Sequence, residues 1–539
     1  MPDTKRPSRT GKGLSQEVMD LDRRILELLD KRTRLMAKAA QSRRRKKLPL
    51  AEAAQERALW SNWAEWARSM NISERLAKKL FVAINSMGYE AAEAGPGRTD
   101  PFRLTPPHGP MNLVSPGPSS DAHARCLAVL AASRGQPVSL APLVFSDGLI
   151  ELAKGLNQVG GGLGWEHDTL SARATTPVSF DKATVFAGQD MFTFLLLLFQ
   201  ALGQEATGCR FSGGPELKLA ELGPLMRFLP EMGARLAPID RRSPGLPARL
   251  EAGGGAPETI DVPDDLPEGS AAALALAAWR FPGGLTIRFS QDAPPARGLS
   301  DALRALSVAG IEVKSGPGEV AVSPGQPELP EEPGLTMDPL LCLYPAAMAR
   351  LRGGRVELSG SWPGDDPEAQ GALDLLAACG LPPDTANGLA AVGSSVWTGA
   401  ATLEPATHRL VPLACVLAAA APGGAEVVPP PGYEYSGEAS RVLHRTGKEC
   451  EVEGATLRMT PGFSQEPPMQ VTAPTAEWAL ALGVLSLVRP GIALDNPGAA
   501  SSLWPGFWSF FNRLPAPEGG IFARKPEPEQ PKRRRIRIR

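Results

Sequence analysis

The feature that most limits what this chain can become is a unit of helix, glycine-rich turn and strand that returns at regular intervals. Residues 271–313 read AAALALAAWRFPGGLTIRFSQDAPPARGLSDALRALSVAGIEV. The pattern is an apolar helix, a turn at 282–284, a strand at 285–289, a loop, an amphipathic helix and a second strand. The same grammar returns in MARLRGGRVELSG (348–360) followed by GALDLLAACG, and in AAAAPGGAEVVPP (418–430) followed by SRVLHRTGKECEV. It returns again in VLSLVRPGIALDNP (484–497) followed by WSFFNRL. The turns at Gly283, Gly353, Gly423 and Gly491 lie about seventy residues apart, beyond the roughly 20–50-residue periods of solenoids. Two looser copies, LAASRGQPVSL (130–140) and ALGQEATGCRFSG (201–213), lead into ELAKGLNQVGGGLGW and LMRFLPEMGARL. Six units therefore fill residues 112–514. Each has a helix face and a strand face to bury, so the units are expected to share cores.

Size and charge narrow the rest. A chain of 539 residues is too long for one core. With 43% hydrophobic and 21% charged residues it reads as globular, and a formal net charge of −1 gives no global attraction for nucleic acid or anionic membranes. The six cysteines are scattered, without CxxC pairs or histidines at ligand spacing. That argues against a metal, a disulfide framework or a cofactor held by such groups, and for small core residues. The N-terminus MPDTKRPSRTGKG has no apolar core, and the most apolar run, 192–199, is far shorter than the roughly 20 residues that span a bilayer. The expectation is a cytoplasmic protein with no membrane partner.

Ahead of the repeats lies a different region. Residues 14–47 contain neither Gly nor Pro, and Leu14, Val18, Leu21, Ile25, Leu28, Leu35 and Met36 form one helical stripe. A second helix is expected over 51–69, with Trp60, Trp63 and Trp66, and a third over 74–91 behind an Asn71/Glu74 capping box. Three such helices close a poor monomeric core, so a homodimer through the long helix is expected. The boundaries that follow are a disordered start (1–13), a helical domain (14–94), a Pro/Gly-rich linker (95–111), the repeats (112–514) and a disordered basic tail (515–539). The basic tail reads first as a solvated end, with contact to an acidic partner or nucleic acid as the alternative, and with a net charge of −1 no nucleic-acid partner is expected.

The helical region, through LDRRILELLDKRTRLMAKAAQSRRR, resembles the all-helical chorismate mutase family. The resemblance implies a site that clamps the two carboxylates of chorismate and polarises its ether oxygen. By position it assigns carboxylate binding to Arg32 and Arg43, places Glu52 where the family has Asp, and puts Glu56 near the ring hydroxyl. Ser15, Gln55 and Ala92 stand where the family has Arg, Arg and Gln or Glu.

The repeats, through SPGPSSDAHARCLAVLAA (115–132), SDG (146–148), GEASR (437–441) and LDNPGAASSLWPGFW (494–508), resemble the 3-phosphoshikimate 1-carboxyvinyltransferase (EPSP synthase) family. The resemblance implies an α/β fold of six βαβαββ-type units in two globular halves. It also implies transfer of the carboxyvinyl group of phosphoenolpyruvate to shikimate 3-phosphate, in a cleft needing several Lys or Arg and acid–base carboxylates. Glu438 and Arg441 match a catalytic Glu and Arg; Ser119, Ser120, Arg125 and Gln189 fall at or beside substrate-binding positions. Ser119 replaces a Lys, Ala124 an Arg with Arg125 one place off, and Gln189 an Asn. Glu216 replaces an Arg, 271–273 a Ser-Ser-Gln, Thr407 an Asp, 476–477 a His-Arg pair, and Ser502 a Lys. His408–Arg409 has the look of that pair but falls in the fifth unit, where it reads as a helix start. The SPGPSS loop offers backbone N–H groups to an anion.

Two functions fit. One is a divergent carboxyvinyltransferase fused to a chorismate mutase-like domain, with anionic substrates (phosphoenolpyruvate, shikimate 3-phosphate, chorismate). The other is a catalytically impaired relative that regulates, binds ligands or scaffolds in the same pathway of aromatic amino acid biosynthesis.

Overall fold

The computed structural model describes residues 21–25, 27–32, 35, 53–73, 77, 81 and 84, and residues 102–514 apart from 107–108, 174–175, 204–206, 240–244, 253–254, 256, 291–297, 395 and 398. The chain divides into two compact units, Met1–Phe102 and Arg103–Arg539.

In the smaller unit the helix Ala53–Ser69 buries Ala64 and Ala67, and Ala77 and Phe81 beyond it are buried too. Trp63 meets Phe81 edge-to-face at 5.6 Å between ring centres. The start of the third helix differs from the sequence expectation. Asn71 has φ 59°, the left-handed conformation that ends a helix, and the Ile72 N–H donates back to the Ala67 carbonyl at 2.8 Å. Asn71 therefore does not have the extended backbone of a helix cap, the Ala77 N–H donates to the Ser73 carbonyl at 3.0 Å, and Glu74, the other half of the expected capping box, lies outside the described residues. On the first helix Leu21, Ile25, Leu28 and Leu35 are more than half exposed.

Among the described residues the larger unit holds six small sheets. Its three four-stranded sheets share one plan. In the sheet of 184–186, 207–212, 234–238 and 248–252, the first two strands pair in parallel and the last two add as an antiparallel hairpin. The sheets over 259–322 and 402–459 repeat it. This is the βαβαββ-type unit that the resemblance implies. The turn glycines explain its regularity. Gly284 and Gly424 have φ 71° and 77°, and a Cβ on either would stand 2.3 and 2.4 Å from the carbonyl oxygens of Val322 and Met459 on the neighbouring strand.

The sheets form two halves joined by two chain crossings. The strand Met111–Pro116 pairs in parallel with Gly354–Ser359, so the chain stands in the second half before the first unit. It crosses at 117–120, builds three units, and returns at 336–338. The crossings bond to each other: Ser120 N–H to the Thr336 carbonyl and Asp338 N–H to the Pro118 carbonyl, both at 2.8 Å. Within the first half one core runs from Ala124 to Val322. At its centre the helix Met191–Leu202 (MFTFLLLLFQAL) is apolar on all sides, and Phe194–Phe199 are fully buried, each large side chain contributing about 1.5–3 kcal/mol. All six cysteines are buried and unpaired, as expected for core residues. Among the described residues no helix is long and apolar enough to cross a membrane.

Candidate functional site

Six of the described helices in the larger unit start on side-chain oxygen caps, whereas the fully buried Ser270–Ala277 and Val411–Ala420 start without one. Ser120, Ser146 and Asp190 cap Asp121–Arg134, Asp147–Asn157 and Met191–Leu202 in the first half. Asp338, Asp366 and Thr475 cap Pro339–Arg352, Pro367–Ala378 and Ala476–Leu485 in the second. Helix starts carry partial positive charge and favour anions. Here the protein supplies them itself.

In the first half the centre is Arg125. Its guanidinium bonds Asp121 at 2.5 Å, Asp190, and the Thr193 and Ser146 hydroxyls at 3.3 and 3.5 Å. It thus ties three helix starts together. Burial works against its charge, but Asp121 and Asp190 outweigh burial and hold it above the usual range. Gly148 of the SDG motif makes room: a Cβ there would lie 2.0 Å from the guanidinium.

In the second half the centre is Arg409, whose guanidinium bonds both oxygens of Glu368 at 3.0 and 3.2 Å and one of Glu477 at 3.5 Å. Burial again opposes the charge, and Glu368, Asp338 and Glu477 overcome it. Asp338 shows the cost of crowding: burial first, then Glu368 and Asp121, push its carboxyl up to about 6 although Arg409 draws it down.

Between them, beside the crossings, Asp301 accepts from the Ser120 hydroxyl at 2.9 Å and pairs with Arg304 at 3.0 Å. Arg304 also reaches Asp365 of the second half at 2.6 Å. Burial pushes the Asp301 carboxyl up to about 7, Ser120 and Arg304 pulling against it and Asp366 and Asp338 adding to it. His123 is driven down to about 3 by burial and by Arg304, so it is neutral at pH 7. Its Nδ1 accepts from the Thr336 N–H at 3.2 Å, which places the proton on Nε2.

The sequence-derived residues fall unevenly on this arrangement. Ser119 is buried and its hydroxyl accepts from the Val144 N–H at 3.4 Å; Ser120 is spent as cap and as donor to Asp301. The SPGPSS loop has committed the N–H groups of Gly117 and Ser120 to the Ser359 and Thr336 carbonyls. Gln189 is exposed, its N–H donating to Glu151 at 2.8 Å. Glu438 is half-buried in the first turn of Ser436–Arg445, beside Tyr433, and Arg441 is exposed one turn later. Glu216 and Ser502 are exposed, and 271–273 are buried. Arg32 donates to the Ile84 carbonyl at 3.1 Å. Arg43, Glu52, Ser15 and Ala92 lie outside the described residues, and of Gln55 and Glu56 only the backbone, in the helix Ala53–Ser69, is described.

The arrangement of two three-unit halves, entered and left through paired crossings, is matched by solved structures. An EPSP synthase from Acinetobacter baumannii superposes with a TM-score of 0.62 at 15% identity, covering 76% of this chain and 97% of that one. The enolpyruvyl transferase NikO from Streptomyces tendae gives 0.60 at 16% identity, covering 77% and 97%. The larger unit has the EPSP synthase fold. Ahead of it, residues 14–92 match the family described as chorismate mutase type II. No curated protein matches the chain.

Within the EPSP synthase fold the sequence reading missed the groups that dominate the cleft: Asp190, Asp301, Arg304, Asp338 and Glu368. Three of these had a signal. Asp190 and Asp338 stand directly before apolar helices and Glu368 in a first turn, where a capping search would have put carboxylates at the cleft. His408–Arg409 does begin a helix, yet its guanidinium reaches Glu477 of the sixth unit, the position where the resembled family has Arg.

Proposed function

We propose that the chain serves aromatic amino acid biosynthesis as a chorismate mutase-type dimerising module fused to an EPSP synthase-fold domain that binds ligands or regulates rather than transferring a carboxyvinyl group. The observation that carries this reading is the state of the cleft arginines. Arg125, Arg304 and Arg409 are each held by two carboxylates of the same chain. A phosphate brought beside an unneutralised carboxylate meets repulsion of about 4 kcal/mol at 4 Å with an effective dielectric near 20. Two phosphorylated substrates have no uncommitted guanidinium among these three to receive them.

The experiment is calorimetric titration of the full chain with phosphoenolpyruvate in the presence of shikimate 3-phosphate, run beside a phosphate-release assay. Silence in both is expected. Micromolar binding with steady phosphate release would restore the carboxyvinyltransferase reading. The smaller unit is assigned the homodimer contact, supported by the exposed row Leu21, Ile25, Leu28 and Leu35.

A further inference from the structure

The Arg409 cluster carries an inference that rests on the reading above and gives it a mechanism. Arg409 lies in the turn His408–Leu410 that leads into the helix Val411–Ala420. Glu477 sits in the first turn of Ala476–Leu485, and Asp338 caps Pro339–Arg352. Three helices of 10, 10 and 14 residues therefore start around one guanidinium. A guanidinium among helix starts is a receptor for an oxyanion, through its fork of donors and the fixed positive ends of the helices. Here both carboxylates that occupy it are covalently part of the chain.

Neutralising Arg409 needs one carboxylate, and the protein brings Glu368, Glu477 and Asp338. Three carboxylates around one guanidinium leave the cluster with more negative than positive charge, and burial first, then Glu368 and Asp121, raise the Asp338 carboxyl while Arg409 draws it down. The Glu368 and Glu477 side chains are only 24% and 17% exposed, which leaves little water to screen them. The Thr407 hydroxyl, directly before the His408–Leu410 turn, is buried without a hydrogen-bond partner among the described residues.

We propose that Glu368 and Glu477 are specificity-determining residues. They fill, as tethered anions, a site built for a phosphate- or carboxylate-type oxyanion centred on Arg409, and so exclude free anions from the second half of the cleft. Replacing both by glutamine keeps their size and hydrogen-bonding oxygens while removing two negative charges.

The test is titration of the full chain with inorganic phosphate, followed by calorimetry, for wild type, E368Q/E477Q and E368Q/E477Q/R409Q. The double variant is expected to bind phosphate at least about tenfold more tightly than wild type, and the added R409Q change to abolish the gain. A double variant with native circular dichroism that binds no better than wild type overturns the proposal and leaves the reading of the domain standing. A gain that survives R409Q overturns it as well. Wild type binding phosphate as tightly as the double variant overturns the proposal and that reading together. Should the double variant fail to fold, E477Q alone is measured; a smaller gain is expected, and no gain refutes.

Discussion

Replacing Arg125 by Met tests whether the first-half cluster is an internal ion lattice. The substitution keeps most of the side chain's volume and leaves Asp121 and Asp190 facing each other without a cation. Breaking a fully buried pair by removing one partner costs about 3–5 kcal/mol, and an exposed pair about 0–1. The guanidinium side chain is 8% exposed, but Asp121 and Asp190 keep 31% and 36% of their surface, so water takes up part of the loss. A cost of about 2–3 kcal/mol at pH 7 lies between those limits. The pH dependence carries a sign. Burial alone would raise the Asp190 carboxyl, but Arg125 and the Thr193 N–H hold it below the usual range. Its contribution is therefore present above the ordinary Asp range and lost as pH falls through the lowered value, so the gap between wild type and R125M should close in acid. Urea unfolding followed by circular dichroism measures this. The triple variant R125M/D121N/D190N should recover most of the loss, because removing a pair entirely costs far less than orphaning its partners. A loss under about 0.5 kcal/mol in R125M, or no recovery in the triple variant, would refute the lattice.

Asp301 supplies the opposite pH signature. Its carboxyl is pushed up to about 7 by burial, while an unfolded Asp titrates near 3.9, so its stability contribution is full below about 4 and falls as pH rises through about 7. D301N should flatten the decline of Tm between those pH values, leaving the smaller slope of Asp338; an unchanged profile would remove Asp301 from the account. For assembly, sedimentation of the full chain should give a dimer at micromolar concentration, and L28E should shift it to monomer by placing a charge in the exposed row. A wild-type monomer, or a dimer indifferent to L28E, would remove the argument from that row.

The fold was largely legible because its determinants repeat. A glycine turn that must pass within contact of the next strand's carbonyl, as at Gly284 and Gly424, leaves the same mark in both units, and the apolar helix beside it leaves another. The Asn71 cap was misread for a local reason. An Asn followed three places later by Glu satisfies a capping pattern, but Asn also tolerates the left-handed conformation that closes the preceding helix, and that use prevailed.

The cleft was legible only in part, since charge there is arranged in space and not in register. Position-by-position matching shows a Glu at 477 where the resembled family has Arg and infers repulsion, but it cannot show that Arg409 of the fifth unit has come to meet that carboxylate. Neither could it show that Arg125, one place from the matched position, is turned into the core to bind helix starts that a ligand's anions would otherwise neutralise. The two halves reach the same solution with different residues: a guanidinium at the meeting of helix starts, each with two carboxylates of its own chain. Random loss of binding residues would leave those starts with neutral caps and water. Two independent, fully paired clusters instead supply that negative charge from the chain itself. The carboxylates are therefore the first residues to change in any attempt to make this domain bind an anion.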